Sequence, residues 1–168
     1  MEVVLLELVK LSEEDYRPYQ RLIRRLEHSV NPNQKSVIGK ELVNEIVMQN
    51  KESILPKTAF VNSMNNPNVE AYFLKNEVGE YIGIVYMLFQ DKLAHIIDFG
   101  ILSEYKGKGI GTEFFNMCLD QAIKPRHCKV LTLHCPFFGA QIFWKKMGFE
   151  MIINKDYYRG NPLMRKRL

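Results

Sequence analysis

Between Phe99 and Phe115 the chain reads FGILSEYKGKGIGTEFF, with glycines at Gly107, Gly109 and Gly111 and lysines at Lys106 and Lys108. Glycine loses more backbone entropy on folding than any other residue, so three of them at alternate positions need a reason. The residues just before, Leu93 to Leu102, are apolar enough for a strand. Those just after, Ile110, Phe114, Phe115, Cys118, Leu119 and Ala122, recur at helical spacing. A glycine turn between strand and helix aims several backbone N–H groups at one point, where the helix N-terminus adds partial positive charge. That arrangement suits phosphate or pyrophosphate. Side chains at the alternate positions would block a ligand's close approach. The stretch is neither a P-loop, which needs G-x-x-x-x-G-K-[ST], nor a G-x-G-x-x-G turn after the chain's first strand.

The elements on either side indicate the fold class. Val3 to Val9 reads as a first strand. Ser12 is a capping candidate for a helix in which Tyr16, Tyr19, Leu22, Ile23 and Leu26 share a face, with Pro18 tolerated in the first turn. NPNQKS then breaks the chain, and helical spacing resumes through Ile38, Leu42, Ile46 and Val47. Residues 50–68, with Pro56, Pro67, Asn62, Asn65, Asn66 and Asn68, read as a long irregular connection. VEAYFLKN and YIGIVYMLFQ form a hairpin across EVGE, and Leu93–Leu102 adds a third strand. After the glycines come a helix, a strand (KVLTLHC), a short helix (FGAQIFWKKM) and two strands (FEMII and PLMRKRL). The order β-α-α-β-β-β-α-β-α-β-β predicts an α/β architecture, and the absence of repeats or linkers predicts one domain over residues 1–168.

Composition narrows the function. The 168 residues are 46% hydrophobic and 25% charged, which is enough to bury a real core. A net charge of +4 favours an anionic ligand over a dedicated nucleic-acid role, since nucleic-acid binders concentrate far more positive charge on one face. The terminal RKRL reads as a solvated strand end. Cys118, Cys128 and Cys135 fit no metal-ligand spacing, so no metal is expected. Their odd number, with a short apolar run at MEVVLLELVK broken by Glu7, points to a reducing cytoplasm. No stretch approaches the roughly 20 apolar residues of a membrane span.

Two motifs carry a family resemblance. FGILSEYKGKGIGTEFF resembles the acetyl-coenzyme A motif [Q/R]-x-x-G-x-[G/A] of the GNAT N-acetyltransferases, with Gly109 and Gly111 in register. Lys106 stands at the first position and Ser103 where proline is usual. AQIFWKKMGFEMI is similar to the downstream motif A-x-x-[FL]-Y-x-x-x-G-F at Ala140, Phe143, Gly148 and Phe149. The two occur in the family's order and span Leu93 to Phe149. The resemblance implies a mixed, mostly antiparallel twisted sheet of about six to seven strands with about four flanking helices and splayed central strands. It also implies acetyl-CoA as cosubstrate. The pyrophosphate would rest on the amides of Gly107, Lys108, Gly109, Ile110, Gly111 and Thr112, with charge from Lys106 and Lys108. The pantetheine arm would lie along Ile101 and Leu102, near Phe143 and Phe137. Phe137 stands where the family often has an asparagine.

Direct transfer to an amine requires that the acceptor lose a proton, because an alkylammonium has a pKa of about 10.4. His95 is the candidate base. It precedes Ile101 by an even number of residues on one strand, which predicts a shared face, while Asp98 falls on the other face by parity. A histidine or glutamate at that place is similar to the family pattern. His134 and Cys135 lie where the cleft should open. The family's tyrosine, which protonates the leaving thiolate, falls at Trp144, so that a tyrosine restored there should speed turnover. Either the thiolate leaves without an acid or another tyrosine serves, here Tyr157, with Tyr105 and Tyr158 as alternatives. The reading is therefore an acetyl-CoA dependent N-acyltransferase acting on a small-molecule or protein amine, with no nucleic-acid or membrane partner and a homodimer as one open state of association. A catalytically silent acyl-CoA binding or sensing module is the alternative, and a basic nucleic-acid module rests only on the charge and RKRL.

Overall fold

One seven-stranded sheet organises residues 5–27, 54–135, 138–152 and 162–168, which are the residues described by the structure, a computed structural model. The strands are β1 Glu7–Lys10, β2 Val69–Lys75, β3 Tyr81–Gln90, β4 Leu93–Ile101, β5 Val130–His134, β6 Glu150–Met151 and β7 Leu163–Arg167. Their order is β1-β2-β3-β4-β5-β7-β6. Only β4 and β5 run parallel, and every other neighbouring pair is antiparallel. The described helices are α1 Tyr16–Glu27, α2 Lys57–Met64, α3 Ile110–Cys118 and α4 Phe138–Lys146. The expected mixed, mostly antiparallel α/β sheet is thus present, with the last strand inserted between β5 and β6.

Local chemistry accounts for these elements. The β2–β3 hairpin closes because the Asn76 side-chain oxygen accepts the Val78 and Glu80 N–H groups at 3.2 and 2.9 Å, with Gly79 at φ 85°. Asp15 caps the approach to α1 by accepting the Ser12 N–H at 2.7 Å. Helix α1 then buries Tyr19, Leu22 and Ile23 while Arg17, Arg21 and Arg24 stay exposed, as its helical spacing requires. At the other end, the RKRL run lies in or beside β7. Arg165 pairs with Glu150 at 3.0 Å, and Lys166 donates to the Met147 carbonyl at 2.7 Å.

One connection is more regular than its sequence suggests. The stretch 50–68 was expected to be irregular, yet Lys57–Met64 is helical. Pro56 supplies a fixed φ at its start, and Phe60, fully buried, stacks on Tyr19 at 4.8 Å and contacts Tyr16 at 5.2 Å. A helix anchored by a single buried residue has little periodicity to read, so its packing partner decides its conformation. The expected second helix, through Ile38 to Val47, lies outside the described residues.

The middle of β4 carries an irregularity that sets the whole site. Met87 pairs with Ile96 and Tyr86 with Asp98, so Ile97 is an extra residue with no partner on β3. A bulge of one residue reverses the alternation beyond it. Residues paired across a sheet share a face, so Ala94, Ile96, Phe99 and Ile101 lie on one side, and His95, Asp98 and Gly100 on the other. Packing agrees with this assignment. Phe99 stacks against Phe114 at 4.7 Å and Phe143 at 5.8 Å under α3 and α4, whereas a Cβ on Gly100 would meet Leu26 of α1 at 3.3 Å. The parity expectation is corrected accordingly. His95 does not share a face with Ile101, and Asp98 is not opposite His95.

Candidate active site

Two halves meet at β4. On the side of α3 and α4 lies the glycine turn, whose glycines have different causes. Gly107 and Gly109 both have φ 78°, a backbone that costs an ordinary residue about 1–2 kcal/mol, and a Cβ at either would meet nothing within 4 Å. Their conformation requires glycine, and the space outside them is open. Gly111 is different, because a Cβ there would approach Phe143 at 3.3 Å and Ile101 at 3.5 Å. It is small so that α3 can sit against α4 and β4.

The turn leaves its amides available. Tyr105 and Lys106 donate their N–H groups to Leu102 and Ser103 at 3.0 and 3.1 Å, and the first bond of α3 runs from the Glu113 N–H to Gly109 at 3.1 Å. Between them, the N–H groups from Gly107 to Thr112 have no acceptor among the described residues. They gather at the N-terminus of a nine-residue helix, where partial positive charge accumulates. Lys106 and Lys108 are exposed beside them. This set fits a pyrophosphate: open space, unspent donors, positive charge and no side chain in the way.

Next to the turn, the strand edge opens. β4 pairs with β5 only from Leu93↔Val130 to Ile96↔Leu133, yet continues to Ile101 against β3 alone. Beyond Ile96 its β5-facing edge has no partner strand among the described residues, which is where an extended amide-bearing arm can add hydrogen bonds. Ile101 and Phe143 flank this edge on the turn's side. Leu102 is placed differently: its side chain is buried and its N–H is spent on Ile82 at 2.9 Å. Phe137, Tyr157 and Tyr158 lie outside the described residues. The Tyr105 hydroxyl is held at the hairpin turn, between Asn76 at 3.4 Å and Glu80 at 3.5 Å.

Trp144 does not stand in a cleft as an acid's replacement would. It is 5% exposed, with ring contacts of 4.9 to 5.6 Å to Phe99, Phe115, Phe143 and Phe149. The indole is core, and the expectation that a tyrosine there would speed turnover loses its geometric basis.

The face toward α1 and α2 carries the titratable groups. His95 is half-buried, and its Nδ1 lies 2.7 Å from the Thr132 hydroxyl on the paired strand. Its ring meets His134 edge-on at 5.2 Å. Burial lowers the His95 pKa below 6.5, and His134 adds to the effect, so the ring is neutral at neutral pH. When Nδ1–H donates to Thr132, Nε2 keeps a lone pair and can take a proton.

Asp98, across from Tyr86, is a group that sequence reasoning set aside. Surrounding protein pushes its pKa up to about 6, although part of the side chain remains accessible to water. No cation or hydrogen-bond donor reaches its carboxylate among the described residues. Its charge helps to raise the phenol pKa of both Tyr19 and Tyr86, behind the larger effect of burial. A signal was present in the sequence. Ile96 and Ile97 are apolar in succession between the polar His95 and Asp98, a break in alternation of the kind a bulge produces.

No helix among the described residues is long and apolar enough to cross a membrane, and no group of three or more metal-binding side chains is gathered there. No curated protein matches the chain in sequence. Solved structures do match in fold. The PaiA N-acetyltransferase of Thermoplasma acidophilum, in complex with coenzyme A, superposes with a TM-score of 0.71 at 19% identity, over 98% of this chain and 99% of that one. The ribosomal-protein-S18-alanine N-acetyltransferase of Escherichia coli gives 0.65 at 12% identity, over 97% and 94%. A spermidine N-acetyltransferase chimera of SpeG from Vibrio cholerae and hSSAT gives 0.65 at 16% identity, over 96% and 95%. Residues 40–149, which include the glycine turn, the open edge of β4 and α4, match the model of the acetyltransferase (GNAT) family, and the chain belongs to that family.

Proposed function

We propose that this protein transfers an acetyl group from acetyl-CoA directly to a primary amine of a small molecule or a protein. The observation that carries the reading is the run of unspent amides from Gly107 to Thr112, opening beside the unpaired edge of β4. Those amides, with Lys106 and Lys108, would hold the pyrophosphate. The Ile97–Ile101 edge, with Ile101 and Phe143, would hold the pantetheine arm. When bound, acetyl-CoA supplies an activated thioester whose carbonyl is open to attack by an amine.

The chain's own residues then have to deliver a neutral amine. His95, neutral and hydrogen-bonded through Nδ1 to Thr132, takes the acceptor's proton at Nε2, directly or through water. Because the bulge at Ile97 puts His95 on the α1 and α2 face, the acceptor approaches from that side and the cosubstrate from the α3 and α4 side. The two reactants meet where β4 and β5 part, beyond Ile96 and Leu133. A cytoplasmic location and an acid role for Tyr157 belong to this same reading.

The test is release of free CoA thiol over a panel of amines and basic peptides, together with calorimetric binding of acetyl-CoA. The wild type should bind acetyl-CoA and release thiol in an amine-dependent way. Gly109→Ala, which forces a side chain into a left-handed backbone beside the open amides, should weaken that binding at least tenfold. Binding unaffected by Gly109→Ala would refute the placement of the pyrophosphate. Binding without thiol release over the whole panel would instead favour a silent acyl-CoA module.

A further inference from the structure

Among the described residues, Thr132 is the one buried residue that is neither apolar, aromatic nor cysteine, 9% exposed between Leu131 and Leu133 on β5. Valine has a similar shape, suits a strand as well, and carries no hydroxyl to desolvate. A strand interior that keeps a hydroxyl at that cost has a use for it. Its partner is His95, directly paired with it on β4, whose Nδ1 lies 2.7 Å from Oγ1. Two residues further along β5, on the same face, the His134 ring meets His95 edge-on, with centroids 5.2 Å apart.

The two contacts restrict different things. A neutral imidazole that carries its hydrogen on Nε2 cannot accept a proton there, so the tautomer decides whether His95 faces an acceptor as a base. A hydroxyl that accepts from Nδ1–H leaves Nε2 bare and keeps its bond once the ring is charged, because both nitrogens of an imidazolium are donors. That bond strengthens as the proton arrives, since a charged donor makes a hydrogen bond roughly twice as strong as a neutral one. A hydroxyl that donated to Nδ1 would do the reverse and put the ring hydrogen on Nε2. The edge-on ring of His134 acts on the torsion instead, limiting rotation of the imidazole about χ2. No other ionisable group on that face, from Asp98, Tyr86 and Tyr19 to Arg165, Arg167 and Glu150, hydrogen-bonds to His95 among the described residues.

We propose that β5 is the positioning strand of the reaction: Thr132 accepts the Nδ1 proton of His95 and leaves Nε2 as the base, while His134 holds the plane of the ring. The inference rests on the acetyl-transfer reading above. It makes Thr132 and His134 positioning residues, which act on the amine only through His95.

The experiment compares wild type with Thr132→Val, Thr132→Ser and His134→Phe. Each protein is measured by nitrogen NMR of its histidine rings, with His95→Gln to assign the signals, by calorimetry with acetyl-CoA, and by thiol release against pH with the best amine of the panel. In wild type, His95 should be protonated at Nδ1 and bare at Nε2 above the acidic limb. Thr132→Val should lose that preference and lower kcat by about 10- to 100-fold, the size of a hydrogen bond to a charged group. It should leave the amine's KM and the Kd of acetyl-CoA within about twofold, and move the acidic limb to lower pH, because the imidazolium loses its acceptor. Thr132→Ser should restore most of the rate. His134→Phe keeps an edge-on ring without its charge. Burial lowers the His95 pKa and His134 adds to the effect, so this variant should keep the tautomer and move the limb to higher pH. A wild-type ring protonated at Nε2 would overturn the inference, and so would a Thr132→Val protein with the tautomer, limb and kcat of wild type. Limbs displaced in the same direction in Thr132→Val and His134→Phe would overturn it too, since they would report a general loosening of the site. Absence of thiol release in wild type would defeat the transfer reading itself, whereas the wrong tautomer in an active protein would overturn this inference alone.

Discussion

Replacing Asp98 with asparagine should make the protein more stable at neutral pH, by an amount the structure sets. The carboxylate's pKa is raised by burial from its ordinary 3.8 to about 6. Below about pH 4 it is protonated both folded and unfolded, and nothing is lost. As pH rises from about 4 to about 6 the unfolded chain releases this proton while the folded chain keeps it. Stability therefore falls across that window and stays reduced above it. At about 1.4 kcal/mol for each tenfold change in proton affinity, the ionised group costs about 3 kcal/mol at neutral pH. An asparagine amide carries no charge but leaves its own polar atoms without partners, at about 1–3 kcal/mol. A net gain of up to about 2 kcal/mol follows, or up to about 8 °C in Tm for a chain of this size. The assay is thermal unfolding of wild type and Asp98→Asn at about pH 4 and about pH 7.5. From the lower pH to the upper, the difference in stability should move in the variant's favour by about 2–3 kcal/mol. A variant that melts lower at neutral pH would mean that the carboxylate is already compensated in the free protein.

Other substitutions test other parts of the site. His95→Ala should lower kcat by about 10²- to 10⁴-fold with acetyl-CoA affinity unchanged. It should also remove the acidic limb of the pH–rate profile, which lies below pH 6.5 because burial lowers the histidine's pKa. A loss under about threefold would return proton removal to water. Trp144→Tyr should lower Tm and give no faster turnover, since its hydroxyl would lie among Phe99, Phe115, Phe143 and Phe149 without a partner. Faster turnover at unchanged Tm would show that this position does reach the leaving thiolate.

The architecture and the glycine turn were legible in the sequence because each depends on local chemistry. Gly107 and Gly109 are glycines because the backbone there is left-handed, and a turn of that kind announces itself residue by residue. Strands β2 to β5 read correctly because long apolar runs bounded by turn residues have one economical conformation. The α2 helix did not, because Phe60 alone ties it to Tyr16 and Tyr19, and that contact is made by residues far apart in sequence. Tertiary structure alone decided which residues share the face of His95. A single unpaired residue, Ile97, reverses the alternation of β4, moves Asp98 to the side of His95 and sends Ile101 to the other. Face assignment by counting holds only while the ladder is regular, and whether a ladder is regular is settled by the neighbouring strand. Trp144 shows the same limit from the other side. Its place in a motif predicted a cleft, and the packing of four phenylalanines around it made it core.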